Sequence, residues 1–153
     1  MSITALWADH TNETHLKIIG QFVHDLLQEL SQGKGPDCTT VCEYAAKVLP
    51  IPQVRACIAF EGEKPLGVII LNECAAIYAG GRFGEISELY VAPPARSKGV
   101  ARALLQAAQA EAERRDWKRL EVGAPSQPEW RRSFEFYCRE GFEEVGPRLR
   151  RLV

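Results

Sequence analysis

A loop that could bind an anion lies between a predicted strand and a predicted helix. The strand ends at Val91, prolines at 93–94 bend the chain, and residues 96–101, here named the cationic loop, lead into the helix. Amides in the first helical turn lack partners inside the helix, and the helix dipole adds about half a positive charge there. Arg96 and Lys98 add full charges, and a glycine at 99 lets a ligand approach the backbone. These features favour a pyrophosphate as the occupant.

The same loop has a simpler interpretation. Many strand-to-helix connections use a glycine only to make the turn, so a glycine loop alone does not identify a ligand. The surrounding elements must therefore support the site. Residue spacing predicts strands at 3–7, 54–60, 66–71, 85–91, 118–122 and 142–145, and another in the tail to 153. A first helix is predicted to follow a cap at Thr11 or Asn12, and further helices are predicted at 37–49, 99–116 and 128–140. This order predicts one α/β domain over residues 1–153.

Composition excludes several classes of function. The 153 residues carry 19 Lys and Arg against 20 Asp and Glu, so no broad basic face for nucleic acid is expected. No apolar run reaches the roughly 18 residues that cross a bilayer, and the first residues lack the features of a secretion signal. Five scattered cysteines favour reduced thiols, and no Cys and His spacing fits a metal site. We therefore expect a cytoplasmic protein without a metal, a membrane or a nucleic-acid partner.

The cationic loop and the strand before it resemble motif A of the GNAT family of N-acetyltransferases. That motif has the form Leu/Ile/Val-x-Val-x-Pro-x-x-Gln/Arg-x-x-Gly-x-Gly/Ala, and its fixed positions are matched by Leu89, Val91, Pro93, Arg96, Gly99 and Ala101. Ser97 is a mild departure, since glycine is common there. Residues 136–142, with the sequence FYCREGF, resemble the family's FYxxxGF segment one helix and one strand later. The resemblance implies a single-domain GNAT fold with a mixed, mostly antiparallel sheet flanked by helices.

The resemblance also implies acetyl-CoA as co-substrate. In the family, the pyrophosphate of coenzyme A lies on the loop that here contains Arg96, Ser97, Lys98, Gly99, Val100 and Ala101. The pantetheine arm pairs with the backbone of the preceding strand, here Leu89, Tyr90 and Val91. A bulge near residues 88–89 is expected to part this strand from its neighbour. A backbone N–H of the strand, such as that of Leu89, would stabilise the oxyanion.

The catalytic residues follow from the same resemblance. Tyr137 matches the family's usual general acid, which would protonate the departing thiolate, although a tyrosine here could also serve only in packing. Glu85 and Glu88 are candidates for the base that takes the amine's proton, with a water chain or a purely solvent-facing role as alternatives. Strand alternation places these two glutamates on opposite faces unless the bulge intervenes. Glu73 and Tyr78 could line the acceptor side.

The resulting expectation is an acetyl-CoA-dependent N-acetyltransferase that transfers the acetyl group directly to a primary amine of a small molecule. The alternatives are acetylation of a protein lysine or N-terminus, and a non-catalytic acyl-CoA sensor. No histidine lies near Cys57, Cys74 or Cys138 in the sequence, so a covalent relay is not expected. The arginines at 131, 132, 148, 150 and 151 could contact the 3′-phosphate of the cofactor or an acidic acceptor, but a solvated face is the expectation. The acceptor, the acyl-chain length and the oligomeric state, including the homodimer common in the family, stay open.

Overall fold

A computed structural model of the chain describes residues 1–125 and 129–153. Its strands are β1 (Thr4–Trp7), β2 (Val54–Glu61), β3 (Lys64–Ala76), β4 (Gly81–Val91) and β5 (Leu120–Val122), and its helices are α1 (Glu13–Ser31), α2 (Cys38–Val48), α3 (Val100–Arg114) and α4 (Arg131–Arg139). The strands form one sheet in the order β1-β2-β3-β4-β5. Strands β1 to β4 pair with one another in antiparallel fashion, and β5 runs parallel to β4. The predicted mixed, mostly antiparallel sheet is confirmed.

Helices cover both faces of the sheet. On β3, Ile69 and Leu71 belong to the apolar cluster under α3, whereas Val68 and Ile70 belong to the cluster under α1. All four side chains are at most 5% exposed. Because both faces are buried, β3 is a continuous apolar run in the sequence rather than an alternating one.

Local signals fixed the ends of the first two helices. The side chain of Asn12 accepts a hydrogen bond from the His15 N–H at 3.1 Å, which confirms the predicted cap of α1. Asp37 caps α2 in the same way through the N–H of Thr40 at 2.8 Å. Proline at 50 follows α2 closely, as expected for a residue that cannot continue a helix.

A bulge in β4 changes which side chains share a face. Ile70 pairs with Glu88 and the adjacent Leu71 pairs with Ile86, so Ser87 is the extra residue. The bulge expected near residues 88–89 is therefore present, one residue earlier. Beyond it, β4 and β5 no longer pair, because their ladder covers only residues 84–86 and 120–122.

The predicted C-terminal strands are wrong. Among the described residues, no strand follows β5, and residues 142–153 have no regular secondary structure. The apolar side chains of this tail are exposed, at 75% for Val145 and 91% for Leu149. Glycine and proline at 146–147 interrupt the short apolar pattern, and proline has no N–H to donate to a ladder.

Two predicted elements begin later than expected. The strand predicted at 118–122 begins only at Leu120. The helix predicted from 128 begins at Arg131, and residues 126–128 lie outside the described residues.

No helix in the described ranges has the length and hydropathy required to span a membrane.

Candidate active site

The cationic loop exposes a row of backbone N–H groups at the start of α3. Ser97 and Gly99 both adopt the left-handed conformation, with φ of 62° and 86°, so the chain turns sharply into the helix. No side chain caps α3. The amides of Ser97, Lys98 and Gly99 make no backbone hydrogen bond of normal geometry with any described residue. The space beside Gly99 is open, since a Cβ built there meets nothing within 4 Å. The loop can therefore receive an anion on its amides.

The guanidinium of Arg96 points away from these amides. It donates to both carboxylate oxygens of Glu29 on α1, at 2.7 and 2.9 Å, and to the carbonyl of Val91 at 2.9 Å. Its charge is thus largely compensated within the protein. Arg96 lies in the predicted loop, but its side chain ties the loop to α1.

The edge of β4 beyond the bulge has no neighbouring strand. The N–H of Ala92 donates to the Leu66 carbonyl on the β3 side at 2.9 Å. Backbone groups in an antiparallel ladder alternate between the two sides, so those of Leu89 and Val91 face the gap where β5 has diverged. Of these groups, the Val91 carbonyl already accepts from Arg96. The N–H groups of Leu89 and Val91 and the Leu89 carbonyl can pair with an extended polar ligand.

The bulge brings both candidate bases to one face of the sheet. Glu85 pairs with Asn72 and Glu88 with Ile70, and these two partners lie two residues apart on β3. The opposite-face arrangement of an unbulged strand therefore does not occur. Glu85 forms an ion pair with Arg148 of the tail at 3.1 Å.

Glu88 has a different environment from Glu85. It is half-buried, and no lysine or arginine among the described residues forms an ion pair with it. Among the described residues, the one side chain that donates a hydrogen bond to the Glu88 carboxylate is Ser87, through its hydroxyl. The same hydroxyl accepts a hydrogen bond from the Asn72 amide at 3.0 Å. Burial raises the pKa of Glu88, and the bond from Ser87 only partly opposes this effect. A carboxylate in this state is a stronger proton acceptor than one in water.

Tyr137 lies on α4 beside an open cleft of about 1040 Å³. Its ring packs between those of Phe136 and Phe142, each with its centroid 5.6 Å away. Burial raises the pKa of Tyr137 to about 12, so its hydroxyl keeps its proton at neutral pH. Glu85 lines the same cleft, whereas Glu88 and the cationic loop lie outside it. The cleft therefore contains one of the two candidate bases together with the candidate acid.

The sequence model of the Acetyltransferase (GNAT) family matches residues 21–142, which include α1, the bulged strand, the cationic loop and Tyr137. The chain belongs to the GNAT family. No curated protein matches its sequence.

Solved GNAT-like structures support the fold at low sequence identity. The structure titled ribosomal-protein-alanine N-acetyltransferase from Brucella melitensis biovar Abortus 2308 is 20% identical, with a TM-score of 0.76, over 99% of this chain and 100% of that one. An aminoglycoside acetyltransferase from an uncultured soil metagenomic sample is 22% identical, with a TM-score of 0.75, over 100% and 99%. An integron cassette protein from V. cholerae is 17% identical, with a TM-score of 0.81, over 100% and 93%.

Two residues expected on the acceptor side of the GNAT fold occupy different places. Tyr78 contacts both oxygens of Glu121 on β5, at 3.0 and 3.1 Å, and so lies beside the paired position of Glu85. Glu73 instead accepts from the indole N–H of Trp117 at 2.7 Å and pairs with Arg115. These contacts hold Glu73 in a network with the end of α3.

The sequence alone did not point to three contacts of this GNAT site. Arg132 donates to the Ser97 hydroxyl at 3.0 Å, Arg148 reaches Glu85, and Glu29 holds Arg96. The partners are 35 to 67 residues apart along the chain, and no motif links them. Across the described ranges there is no cluster of three or more His, Cys, Asp or Glu residues that could hold a metal ion.

Proposed function

We propose that this GNAT protein is an acetyl-CoA-dependent N-acetyltransferase that acts on a primary amine of a small molecule. The observation that carries the proposal is the open edge of β4, which leads from the cationic loop to Glu88. An anion-binding helix start and a free strand edge suit a ligand that has a pyrophosphate at one end and an extended amide-containing arm at the other.

The residues present fit that co-substrate. Amides of Ser97 to Ala101 would hold the pyrophosphate, and the Leu89 carbonyl and the Val91 N–H would pair with the pantetheine amides. Gly99 matters because any side chain there would enter the open space beside the amides and would also strain a backbone with φ of 86°. When bound, acetyl-CoA supplies the thioester carbon that the amine attacks.

The proposed division of labour between the acidic residues follows from their environments. Glu88 accepts the proton of the incoming ammonium, because burial without a cation has raised its affinity for a proton. Glu85 is less suited to this step, since its carboxylate is already engaged by the guanidinium of Arg148.

The leaving thiolate needs a proton as the carbon–sulfur bond breaks. Tyr137 keeps its proton at neutral pH and donates it to the sulfur, and solvent then reprotonates the tyrosinate. The new carbon–nitrogen bond forms directly between acceptor and acetyl group. The N–H of Leu89 donates to the oxygen that gains negative charge.

The test is release of free thiol from acetyl-CoA with a panel of amines. The panel contains polyamines, amino sugars, aminoglycosides, amino-acid derivatives, and peptides with a lysine or a free N-terminus; two solved relatives are named aminoglycoside acetyltransferases. We expect turnover with at least one small amine. Turnover with peptides alone would indicate that the acceptor is a protein. Tight binding of acetyl-CoA without turnover on any amine would contradict the proposal that the protein is an enzyme.

Tyr137→Phe tests the acid within the same assay. We expect kcat to fall about 100-fold with unchanged affinity for acetyl-CoA, because the aromatic packing stays while the proton donor is lost. Tyr44→Phe is the matched control, since Tyr44 is exposed on α2 at 52% and should keep full activity. Equal kcat in both variants would remove Tyr137 from the proton transfer.

A further inference from the structure

Two of the cations around the cationic loop are paired with carboxylates of other elements. Arg96 binds Glu29 of α1, and Arg102, in the first turn of α3, binds Glu140 after α4 at 3.0 Å. Each of these bonds leaves little charge for a ligand. The first pair connects the loop to α1 and the second connects α3 to the end of α4, so neither leaves its cation free for a ligand.

Arg132 is a cation at this loop that has no carboxylate partner. It is the second residue of α4 and forms no ion pair with any described residue. One guanidinium nitrogen donates to the hydroxyl of Ser97 at 3.0 Å, which leaves most of its five N–H donors for other acceptors. Its neighbour Arg131 differs, because it pairs with Glu135 on the same helix at 3.0 Å.

Ser97 has a backbone conformation that favours glycine, and its hydroxyl contacts a distant element. Ser97 has a φ of 62°, in the left-handed region where glycine is favoured. Its hydroxyl does not cap α3, which has no side-chain cap. The contact that it does make is with Arg132, so the serine holds that guanidinium next to the exposed amides.

We propose that Arg132 is a further ligand for the pyrophosphate of coenzyme A, contributed by α4 and held by Ser97. The planar fork of a guanidinium matches two phosphate oxygens. Arg96 is paired with Glu29, so Arg132 and Lys98 supply the positive charge for the phosphates. The assignment rests on the proposed function, because it requires that the cationic loop binds coenzyme A.

The assignment also gives α4 a second connection to the site. No residue of α4 is fully buried, and its half-buried Phe136 packs against the apolar cluster under α3. Arg132 is on the same nine-residue helix as Tyr137. A ligand held by Arg132 therefore joins α4 to the start of α3.

Calorimetric titration tests this assignment with coenzyme A, dephospho-coenzyme A and pantetheine as ligands. We expect Arg132→Ala to weaken both nucleotide ligands about 10- to 100-fold, the effect of losing a charged hydrogen-bonding partner. Arg132→Lys should restore part of this loss. Arg131→Ala is the matched control and should bind as the wild type does, because Arg131 is exposed and paired within α4. Circular dichroism of each variant checks folding.

Each result has a distinct meaning. Unchanged affinity in folded Arg132→Ala, with tight binding by the wild type, would overturn the assignment and leave the proposed function intact. A loss confined to coenzyme A, with dephospho-coenzyme A unaffected, would place Arg132 on the 3′-phosphate and overturn the pyrophosphate contact. No binding of coenzyme A by the wild type would overturn both proposals.

Discussion

Two glutamates, one buried and one half-buried, have pKa values shifted in opposite directions. Glu111 on α3 is 3% exposed and accepts hydrogen bonds from Arg55, Arg114 and Arg115 at 2.7 to 2.9 Å. Burial alone would raise its pKa, but these three partners outweigh burial and lower the pKa to about 2. Glu88 on β4 has only the Ser87 hydroxyl, and burial raises its pKa.

The difference separates a structural carboxylate from one available for chemistry. A buried charge with full compensation stabilises the folded state only while its partners remain. A carboxylate without a cation costs stability when it ionises, and groups of this kind cluster at functional sites. We therefore expect substitutions of the two glutamates to separate stability from activity.

Glu88→Gln should give the largest effect, on activity alone. We expect kcat to fall about 1000-fold, because the amide cannot accept the proton. The folded-state pKa of Glu88 lies above its unfolded value, so ionisation destabilises the fold as pH rises through that pKa, and the variant should be as stable as the wild type or more so at neutral pH. Steady-state kinetics and urea unfolding measure both outcomes. A fully active Glu88→Gln would place the base elsewhere.

Glu111→Gln should give the next largest effect, on stability alone. We expect a loss of about 3 kcal/mol in the free energy of unfolding, since removing one partner of a buried ionic network leaves the arginines uncompensated. Affinity for coenzyme A should be unchanged. An unchanged unfolding midpoint in urea would show that this network does not stabilise the fold.

Acid should reveal the same network in the wild type. The folded pKa of Glu111, about 2, lies below its unfolded value near 4.5, so its contribution is complete above pH 4.5 and is lost as pH falls towards 2. The loss is up to about 3 kcal/mol at 1.36 kcal/mol per pKa unit. Unfolding measured at several pH values should be less pH-dependent in Glu111→Gln. Parallel pH curves for the two proteins would contradict the depressed pKa.

Ser97→Gly should have the smallest effect, and it has two opposite components. Glycine relieves the left-handed conformation and should add about 1 kcal/mol or less to stability. The variant also frees Arg132, so affinity for coenzyme A should fall a few-fold. A thermal melt and a titration resolve the two components. Higher affinity in Ser97→Gly would show that the serine does not position Arg132.

The sequence was sufficient for features that depend on local chemistry. Asn12 caps α1 where predicted, α2 begins one residue after its predicted start, and the loop before α3 turns as its glycine and motif indicate. The bulge was expected only through the family resemblance, because no residue type at 87 requires it.

Features that depend on distant partners could not be predicted. The direction of Arg96 is set by Glu29, which is 67 residues earlier in the chain, and that of Glu73 by Trp117. Arg132 looked like part of a solvated face because only the fold brings Ser97 beside it. The C-terminal strands were predicted from short apolar pairs whose ladder partner no sequence pattern could guarantee.

The pH dependence of kcat/KM in matched Glu88→Gln and Glu85→Gln variants decides which glutamate accepts the proton of the amine. If the half-buried, cation-free Glu88 is the base, the wild type shows an acidic limb above the ordinary glutamate pKa, Glu85→Gln keeps that limb, and Glu88→Gln loses it. An acidic limb that persists unchanged in Glu88→Gln would contradict the account.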